Sequence, residues 1–224
     1  MSNAPSQKDV FLSGEGDAYA LRNEESLKNH NKRIQLDYLM ELILKIPTES
    51  ENFSVLEIGC GDGLRIKHLK EEKGWKVCGI DPSKIQVKKA IDSGLDVCLG
   101  SADKLDFPSS HFDLVIFGFC ICWCDPIDLF KISAEAHRVL KSKSWLAVHD
   151  FWSKGFKSFP YKHLKGLSTY KYDLVKMFDW HPSYVVYEHK IQHYLSGEYT
   201  YHQNDWTHTT IFSRSDEWCD YKKN

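Results

Sequence analysis

Val55-Leu56-Glu57-Ile58-Gly59-Cys60-Gly61-Asp62-Gly63 is the stretch from which the rest of the chain is read. It opens as a short apolar run of Val, Leu and Ile, the pattern of a strand buried on both faces of a sheet. It closes in three glycines on alternate positions, and Leu64-Arg65-Ile66-Lys67-His68-Leu69 then takes up helical spacing. The order is strand, glycine turn, helix. A turn without side chains lets backbone come close to a ligand, and the helix start behind it offers unpaired N–H groups. Glu57 ends the strand and sets a carboxylate beside that turn.

The alternation continues downstream. Residues 75–80 predict a second strand ending at Asp81-Pro82-Ser83, where Asp81 or Ser83 can cap a helix from Lys84 to Ser93 that stops at Gly94. Residues 95–100 predict a third strand, followed by Ser101-Ala102-Asp103. Residues 112–119 predict the fourth and most apolar strand, 128–140 a helix, and 145–151 a fifth strand. Strands alternating with helices imply right-handed crossovers and a parallel sheet covered on both faces.

The flanks are less regular. Residues 1–10 read as a loose tail, and the glycine-broken run 11–23 as a surface lead-in with Tyr19 and Arg22 on one face of a helical turn. Ile34, Leu36, Leu39, Met40, Leu42, Ile43 and Ile46 predict one amphipathic helix, stopped by Pro47-Thr48-Glu49-Ser50. From Phe151 to Met177 the chain is rich in Lys, Tyr, Gly and Ser without a clean period, and reads as an insertion or lid. Residues 184–194 and 206–212 read as two β segments closing the sheet edge. The expected fold is α/β: a doubly wound, mostly parallel seven-stranded sheet with an antiparallel C-terminal edge pair. It is expected to form a single domain over 1–224, with a lid and helix at 11–48, a cofactor-binding core at 50–150, and an acceptor region with closing strands at 151–214.

Bulk properties narrow the classes. With 42% hydrophobic and 27% charged residues over 224 positions, the chain has the material for a real core. A formal net charge of -2 argues against a large electrostatic footprint on nucleic acid or anionic lipid. No apolar run of about 18 residues exists, so no membrane span is expected. Residues 1–8 lack the apolar core of a secretory signal. The seven cysteines are an odd count, and several sit in apolar runs such as Val97-Cys98-Leu99, which reads as reduced, buried thiols in a cytoplasmic protein.

In an open parallel sheet, ligands bind outside the carboxyl ends of the strands. Four strand ends here carry distinctive residues: the glycine turn with Cys60, then Asp81-Pro82, then Ala102-Asp103, then Phe119-Cys120. Asp81 follows the turn by about twenty residues, where an acid can accept both hydroxyls of a ribose. Each acid alone is more ordinarily a cap or a solvated loop residue; their placement on successive strand ends favours an adenosine-containing ligand. The dinucleotide fingerprint spaces its glycines G-x-G-x-x-G, whereas here the third comes one residue early and position 64 is Leu. Glu57 would repel a pyrophosphate and attract an ammonium group, so a zwitterionic cofactor fits better.

These residues resemble the class I methyltransferases that use S-adenosylmethionine. The resemblance is carried by Glu57-Ile58-Gly59-Cys60-Gly61-Asp62-Gly63, by Gly79-Ile80-Asp81-Pro82-Ser83 and by Ala102-Asp103-Lys104-Leu105-Asp106-Phe107-Pro108. Phe112-Asp113-Leu114-Val115 and Glu135-Ala136-His137-Arg138-Val139-Leu140-Lys141 extend it to roughly residues 50–150. One departure is Lys141-Ser142-Lys143-Ser144, where the family usually has Lys-Pro-Gly-Gly; it is expected to alter only the turn before the fifth strand. The resemblance implies a Rossmann-like fold, with Gly59 and Gly61 along the methionine part of the cofactor, Asp81 on its ribose, Asp103 at the adenine amine and Phe119 behind it. The run 14–23 resembles, more weakly, an N-terminal lid of methyltransferases from surface-glycan pathways, which implies that Tyr19 and Arg22 close over the cofactor, with Arg22 on its carboxylate. The implied function is methyl transfer to a small-molecule acceptor, such as a sugar or nucleotide-sugar hydroxyl.

A sulfonium methyl is already activated, so the protein mainly has to align a nucleophile and exclude water. An alcohol acceptor also benefits from a base, and His149 and Asp150, which end the fifth strand, are the catalytic candidates. The bland alternative makes His149 core filling and Asp150 a cap. Tyr161, His163, His181 and Tyr184 are candidate pocket walls. The one-residue gaps of Cys120-Ile121-Cys122-Trp123-Cys124 fit no standard zinc site, and His189, His193, His202 and His208 lack an evident acid or cysteine partner, so no metal is expected. Competing classes are an NAD-type oxidoreductase, disfavoured by the glycine spacing, and a non-catalytic binding module on the same scaffold. A nucleic-acid methyltransferase is disfavoured by the near-neutral charge.

Overall fold

A computed structural model describes residues 6–35, 37–48 and 51–217, and of Asn31 the backbone alone. The first strand, β1 (Ser54–Ile58), is buried along Val55, Leu56, Glu57 and Ile58 because both of its faces are covered. It pairs in parallel with β2 (Lys76–Asp81), Val55 opposite Val77, and with β4 (Phe112–Gly118), Val55 opposite Leu114. Outside β2 lies β3 (Asp96–Leu99), and outside β4 lies β5 (Leu140–Phe151). The sheet closes antiparallel through β9 (Trp206–Arg214) and β8 (Tyr184–His193), giving the seven-stranded order β3-β2-β1-β4-β5-β9-β8. This is the doubly wound sheet with an antiparallel edge pair that the sequence predicts. The last strand is inserted between β5 and β8, so β8 forms the edge.

Helices cover both faces. On one, Leu39, Met40, Leu42 and Ile43 of α5 (Tyr38–Ile43) pack with Val55, Leu114, Ile116, Ala147 and Ile211. On the other, Ile132, Ala136 and Val139 of α8 (Leu129–Val139) pack with Leu56, Phe117, Leu146 and Phe212. Each large side chain fully buried there contributes roughly 1.5–3 kcal/mol through removal from water. Of the crossovers that lift the strand ends to the site, α6 (Leu64–Lys73) follows β1, and α7 (Lys84–Asp92) follows β2 with Ser83 Oγ capping the Gln86 amide at 3.2 Å.

Four expectations are corrected. The predicted helix over 34–46 is broken: α4 (His30–Gln35) ends before Asp37, whose Oδ1 accepts the amides of Leu39 and Met40 and starts α5 afresh. Leu36, within that predicted helix, and Glu49 and Ser50, within its stop signal, lie outside the described residues. Of the predicted tail, residues 1–5 lie outside the described residues and the rest is helical: Ser6 caps α1 (Gln7–Val10), and a π-helical turn, Phe11–Glu15, then runs into α2 (Gly16–Arg22). α3 (Glu24–Lys28) completes the N-terminal run. Lys141-Ser142-Lys143-Ser144 continues β5 with an irregularity opposite Phe112 and Leu114, in place of a turn. The irregular run 151–177 contains a small hairpin, β6 (Lys157–Pro160) with β7 (Ser168–Lys171), apart from the main sheet. Among the described residues no helix is long and apolar enough to cross a membrane.

Candidate active site

The carboxyl ends of β1, β2, β4 and β5 open onto a cavity of about 850 Å³. That size falls in the range of small-molecule and cofactor sites. Gly59, Cys60, Gly61, Asp81, Pro82, Ala102, Asp103, Phe119, Cys120, Glu57, Tyr19 and His149 all line it. The glycine turn bends in the left-handed region, with φ +74° at Gly59 and +56° at Gly61. A Cβ on Gly59 would lie 2.4 Å from Cys120 Cβ, whereas one on Gly61 would meet no atom within 4 Å. The first glycine is therefore required by the protein's own packing, and the second leaves open space in the cavity wall.

Asp81 holds this turn. Its Oδ2 accepts the Gly61 amide at 2.8 Å and its Oδ1 the Ser83 amide at 2.9 Å. Burial nevertheless pushes its carboxyl up to about 6. Asp103 is placed by α8: Glu135 Oε2 accepts the Leu105 amide at 2.7 Å, and Arg138 donates to the carbonyls of Leu105 and Phe107 at 2.8 and 2.7 Å. Lys8 Nζ then meets Asp103 Oδ2 at 2.6 Å. Partial burial works against the Asp103 charge, but Lys8 and the Ser101 hydroxyl hold the carboxyl below its usual value.

Glu57 is fully buried at the cavity wall. Its Oε1 accepts from Arg65 Nη1, and its Oε2 has no hydrogen-bond partner. Burial raises its carboxyl to about 7. Arg65 Nε also meets Asp37 Oδ2 at 2.7 Å, so two carboxylates share this guanidinium. Arg65 and Asp37 carry no signal in the sequence: they meet across 28 residues, and nothing in the local pattern singles them out.

The N-terminal run forms the opposite wall. Tyr19 and Phe11 both line the cavity and pack on Trp123, with ring centroids 5.9 and 5.8 Å away. Gln7 donates its backbone amide to Asp125 Oδ2 and its side-chain amide to the Trp123 carbonyl, each at 2.7 Å. Asp17 Oδ1 accepts from Ser83 Oγ at 2.7 Å and from the Ile85 amide at 2.9 Å. Arg22 departs from the expectation that it closes on a cofactor carboxylate. It lies outside the cavity lining and binds Glu15 and, at 2.6 Å, the Tyr161 hydroxyl. Trp123, Gln7 and Lys8 also escaped sequence reading; the signal for Trp123 is a large aromatic just past the fourth strand end.

The fifth strand separates its two candidates. Phe119, held at φ +55°, stands edge-on to His149 at 4.6 Å and to Phe151 at 5.2 Å. His149 Nδ1 lies 2.7 Å from Thr209 Oγ1, and burial lowers the imidazole to about 4. Asp150 points to the other face, as successive strand residues must. It is fully buried, accepts the amides of Cys122 at 3.1 Å and Phe151 at 2.8 Å, and does not line the cavity. Tyr161, His163, His181 and Tyr184 also lie off the cavity; from the 151–214 region only Tyr194 and Leu195 reach it among the described residues. Burial pushes the thiols of Cys120 and Cys122 well up, and among the described residues no three His, Cys, Asp or Glu form a metal-holding group.

Comparison with known proteins agrees with this geometry. Residues 56–148 match the family described as "Methyltransferase domain". A solved structure of Burkholderia thailandensis 1,6-didemethyltoxoflavin-N1-methyltransferase, with S-adenosylhomocysteine bound, is similar at a TM-score of 0.69 and 13% identity, over 96% of this chain and 93% of that one. A SAM-dependent methyltransferase of Methanosarcina mazei is similar at 0.61 and 17%, over 74% and 94%. Among curated proteins, rat (Rattus norvegicus) mitochondrial arginine-hydroxylase NDUFAF5 is 33% identical over 88 residues, 38% of this chain and 25% of that protein. The aligned part thus spans about a quarter of that relative's length.

Proposed function

We propose that this protein, a class I S-adenosylmethionine-dependent methyltransferase by its domain and its fold, moves the cofactor's methyl group to a small-molecule acceptor held in the same cavity. When bound, S-adenosylmethionine supplies a methyl on a sulfonium, with the electrons of the broken bond returning to sulfur. The observation that carries the reading is the Glu57–Gly61–Asp81 arrangement on neighbouring strand ends. Glu57 Oε2 is buried on the cavity wall without a partner. An orphaned carboxylate oxygen is costly unless a donor meets it, and an amino acid ammonium is such a donor. Gly61 leaves the space beside it clear. Asp81 uses one accepted bond per oxygen within the protein, which leaves acceptor capacity on both for ribose hydroxyls. Asp103 takes the adenine amine, and Tyr19, Phe119 and Cys120 flank the nucleoside in this reading.

What the chain itself contributes is alignment and exclusion of water. The N-terminal wall of Lys8, Phe11 and Tyr19 covers the cofactor side. The remaining wall, with Asn29, Lys32, Ile34, Tyr194, Leu195 and His149, is left for the acceptor. Its mixture of polar and aromatic side chains supports a sugar or nucleotide-sugar hydroxyl as acceptor. His149 is the side chain we assign to that hydroxyl; Asp150 instead holds the Cys122 turn. The absence of disulfides among the six described cysteines supports a reducing, cytoplasmic setting.

Calorimetry with S-adenosylhomocysteine tests the cofactor, and a folded sample that releases no heat overturns the reading. A panel of sugars and nucleotide sugars, scored by S-adenosylhomocysteine formed from S-adenosylmethionine, tests the acceptor.

A further inference from the structure

We propose that Arg65 holds the carboxylate of the cofactor's amino acid end, the role that the resemblance implies for Arg22. The proposal rests on the reading that this cavity binds S-adenosylmethionine, and it adds which cation of the chain selects a ligand that still carries that carboxylate.

Arg65 stands in the first turn of α6, directly behind the glycine turn. Its guanidinium reaches the end of β1, where Nη1 donates to Glu57 Oε1. Nε donates to Asp37 Oδ2 at 2.7 Å, and the other oxygen of Asp37 is spent on the first amides of α5. Two carboxylates thus fix the plane of the guanidinium, and Nη2 is left over. It has no hydrogen-bond partner among the described residues. Nor is it among the partnerless polar atoms closed to solvent. The side chain is 14% exposed and lines the cavity, so the spare nitrogen has its opening there. Gly118, the last residue of β4, makes room for it: a Cβ there would lie 2.9 Å from Nη2. The backbone of Gly118 is not in the left-handed region, so the close approach of Arg65 is what calls for a glycine.

Glu57 and Arg65 spend one atom each on one another and keep one each. Glu57 Oε2 needs a donor, and Arg65 Nη2 needs an acceptor. An α-amino acid carries an ammonium, which donates, and a carboxylate, which accepts, on one carbon. As a zwitterion it adds no net charge to a site that already holds two carboxylates and one guanidinium. A guanidinium also matches a planar carboxylate better than an ammonium does. The other cations of the cavity wall are engaged elsewhere or stand apart. Lys8 meets Asp103 at 2.6 Å, and Arg33 takes both oxygens of Asp62 at 2.6 and 2.8 Å. Lys32 is exposed on α4, at the wall left for the acceptor, and forms no hydrogen bond or ion pair with Glu57. Among these four cations only Arg65 joins a spare donor to the carboxylate that meets the ammonium.

The test is calorimetry on the full chain with three nucleosides: S-adenosylhomocysteine, its decarboxylated analogue, which keeps the ammonium, and methylthioadenosine, which lacks the amino acid end. Wild type is expected to bind S-adenosylhomocysteine about 10- to 100-fold more tightly than the decarboxylated analogue, the weight of a charge-assisted hydrogen bond. In Arg65→Met that preference is expected to vanish or reverse, with methylthioadenosine bound as in wild type. Arg65→Met leaves Glu57 and Asp37 without their shared cation and can fail to fold, so Gly118→Ala is the second variant. Its methyl displaces the guanidinium while Arg65 and its charge stay in the chain, and the same loss of preference is expected. Equal binding of the first two nucleosides by wild type overturns the inference and leaves the methyltransferase reading standing. A variant that binds methylthioadenosine normally and keeps the full preference also overturns it, because another donor such as Lys32 then meets the carboxylate. Loss of methylthioadenosine binding in both variants assigns Arg65 to the support of the fold and overturns it as well. A folded wild type that binds none of the three removes the methyltransferase reading and the inference with it.

Discussion

Asp81 Oδ2 accepts the backbone amide of Gly61 at 2.8 Å, so the carboxylate that ends the second strand holds the turn that ends the first. In the proposed reading the same side chain also meets the cofactor's ribose. Asp81→Ala is expected to weaken S-adenosylhomocysteine binding by about 10- to 100-fold, as loss of charge-assisted hydrogen bonds does. Asp81→Asn, which keeps an acceptor oxygen, is expected to lose less. Calorimetry on both variants checks the order; equal losses would mean that the charge alone matters.

Two glycines of that turn should fail in different ways. A Cβ at Gly59 runs into Cys120 on a backbone that disfavours side chains, so Gly59→Ala is expected to destabilise the fold by roughly 1–3 kcal/mol. Gly61→Ala has the backbone strain, about 1 kcal/mol, without the collision. Its methyl enters the cavity instead, so it should lower cofactor affinity more than melting temperature. Thermal melts beside calorimetry separate the two.

Glu15, Arg22 and Tyr161 fasten the N-terminal wall to the segment before β7. The Tyr161 hydroxyl donates to Glu15 Oε1 at 2.8 Å and accepts from Arg22 at 2.6 Å. Tyr161→Phe removes both bonds, a loss of about 1–3 kcal/mol local to this contact. Limited trypsin digestion is expected to cut after Arg22 several-fold faster in the variant, with global stability little changed. An unchanged digestion rate would show that the remaining contacts of Gln7, Asp17 and the Trp123 packing hold the wall without Tyr161.

Asp150 predicts a pH effect. Burial raises its carboxyl from 3.8 to about 6, so the folded protein binds this proton more tightly than the unfolded chain. The contribution to stability is fully present below about pH 4 and is lost as pH rises through 6, at up to about 1 kcal/mol per pH unit. Asp150→Asn removes that slope. It also sets an amide donor against one of the amides of Cys122 and Phe151, which lowers stability at every pH. Urea unfolding between pH 4 and 7 should therefore give a lower and flatter curve for the variant relative to wild type.

Some of the site was legible because it is local. The spacing of Glu57, Gly59, Gly61 and Asp81 follows from strands ending in turns, and those four residues do line one cavity. Strand alternation also bears on His149 and Asp150: neighbours on a strand face opposite sides, so only one of the two can face the cavity. The hairpin β6–β7 is illegible in the sequence, since each strand has four residues and none is buried, too short and too shallow to set an apolar period.

By itself the sequence determined the order of strands and crossovers and the carboxylates at their tips, because apolar period and glycine position act over a few residues. Only the tertiary structure decided how those groups are employed. Arg22 meets Glu15 and Tyr161, Lys8 meets Asp103, Arg65 joins Glu57 to Asp37, and Thr209 meets His149. Each of these four side chains has a partner far along the chain or on another element. Such pairs form only where packing of the apolar faces brings the segments together, and no local pattern encodes that meeting.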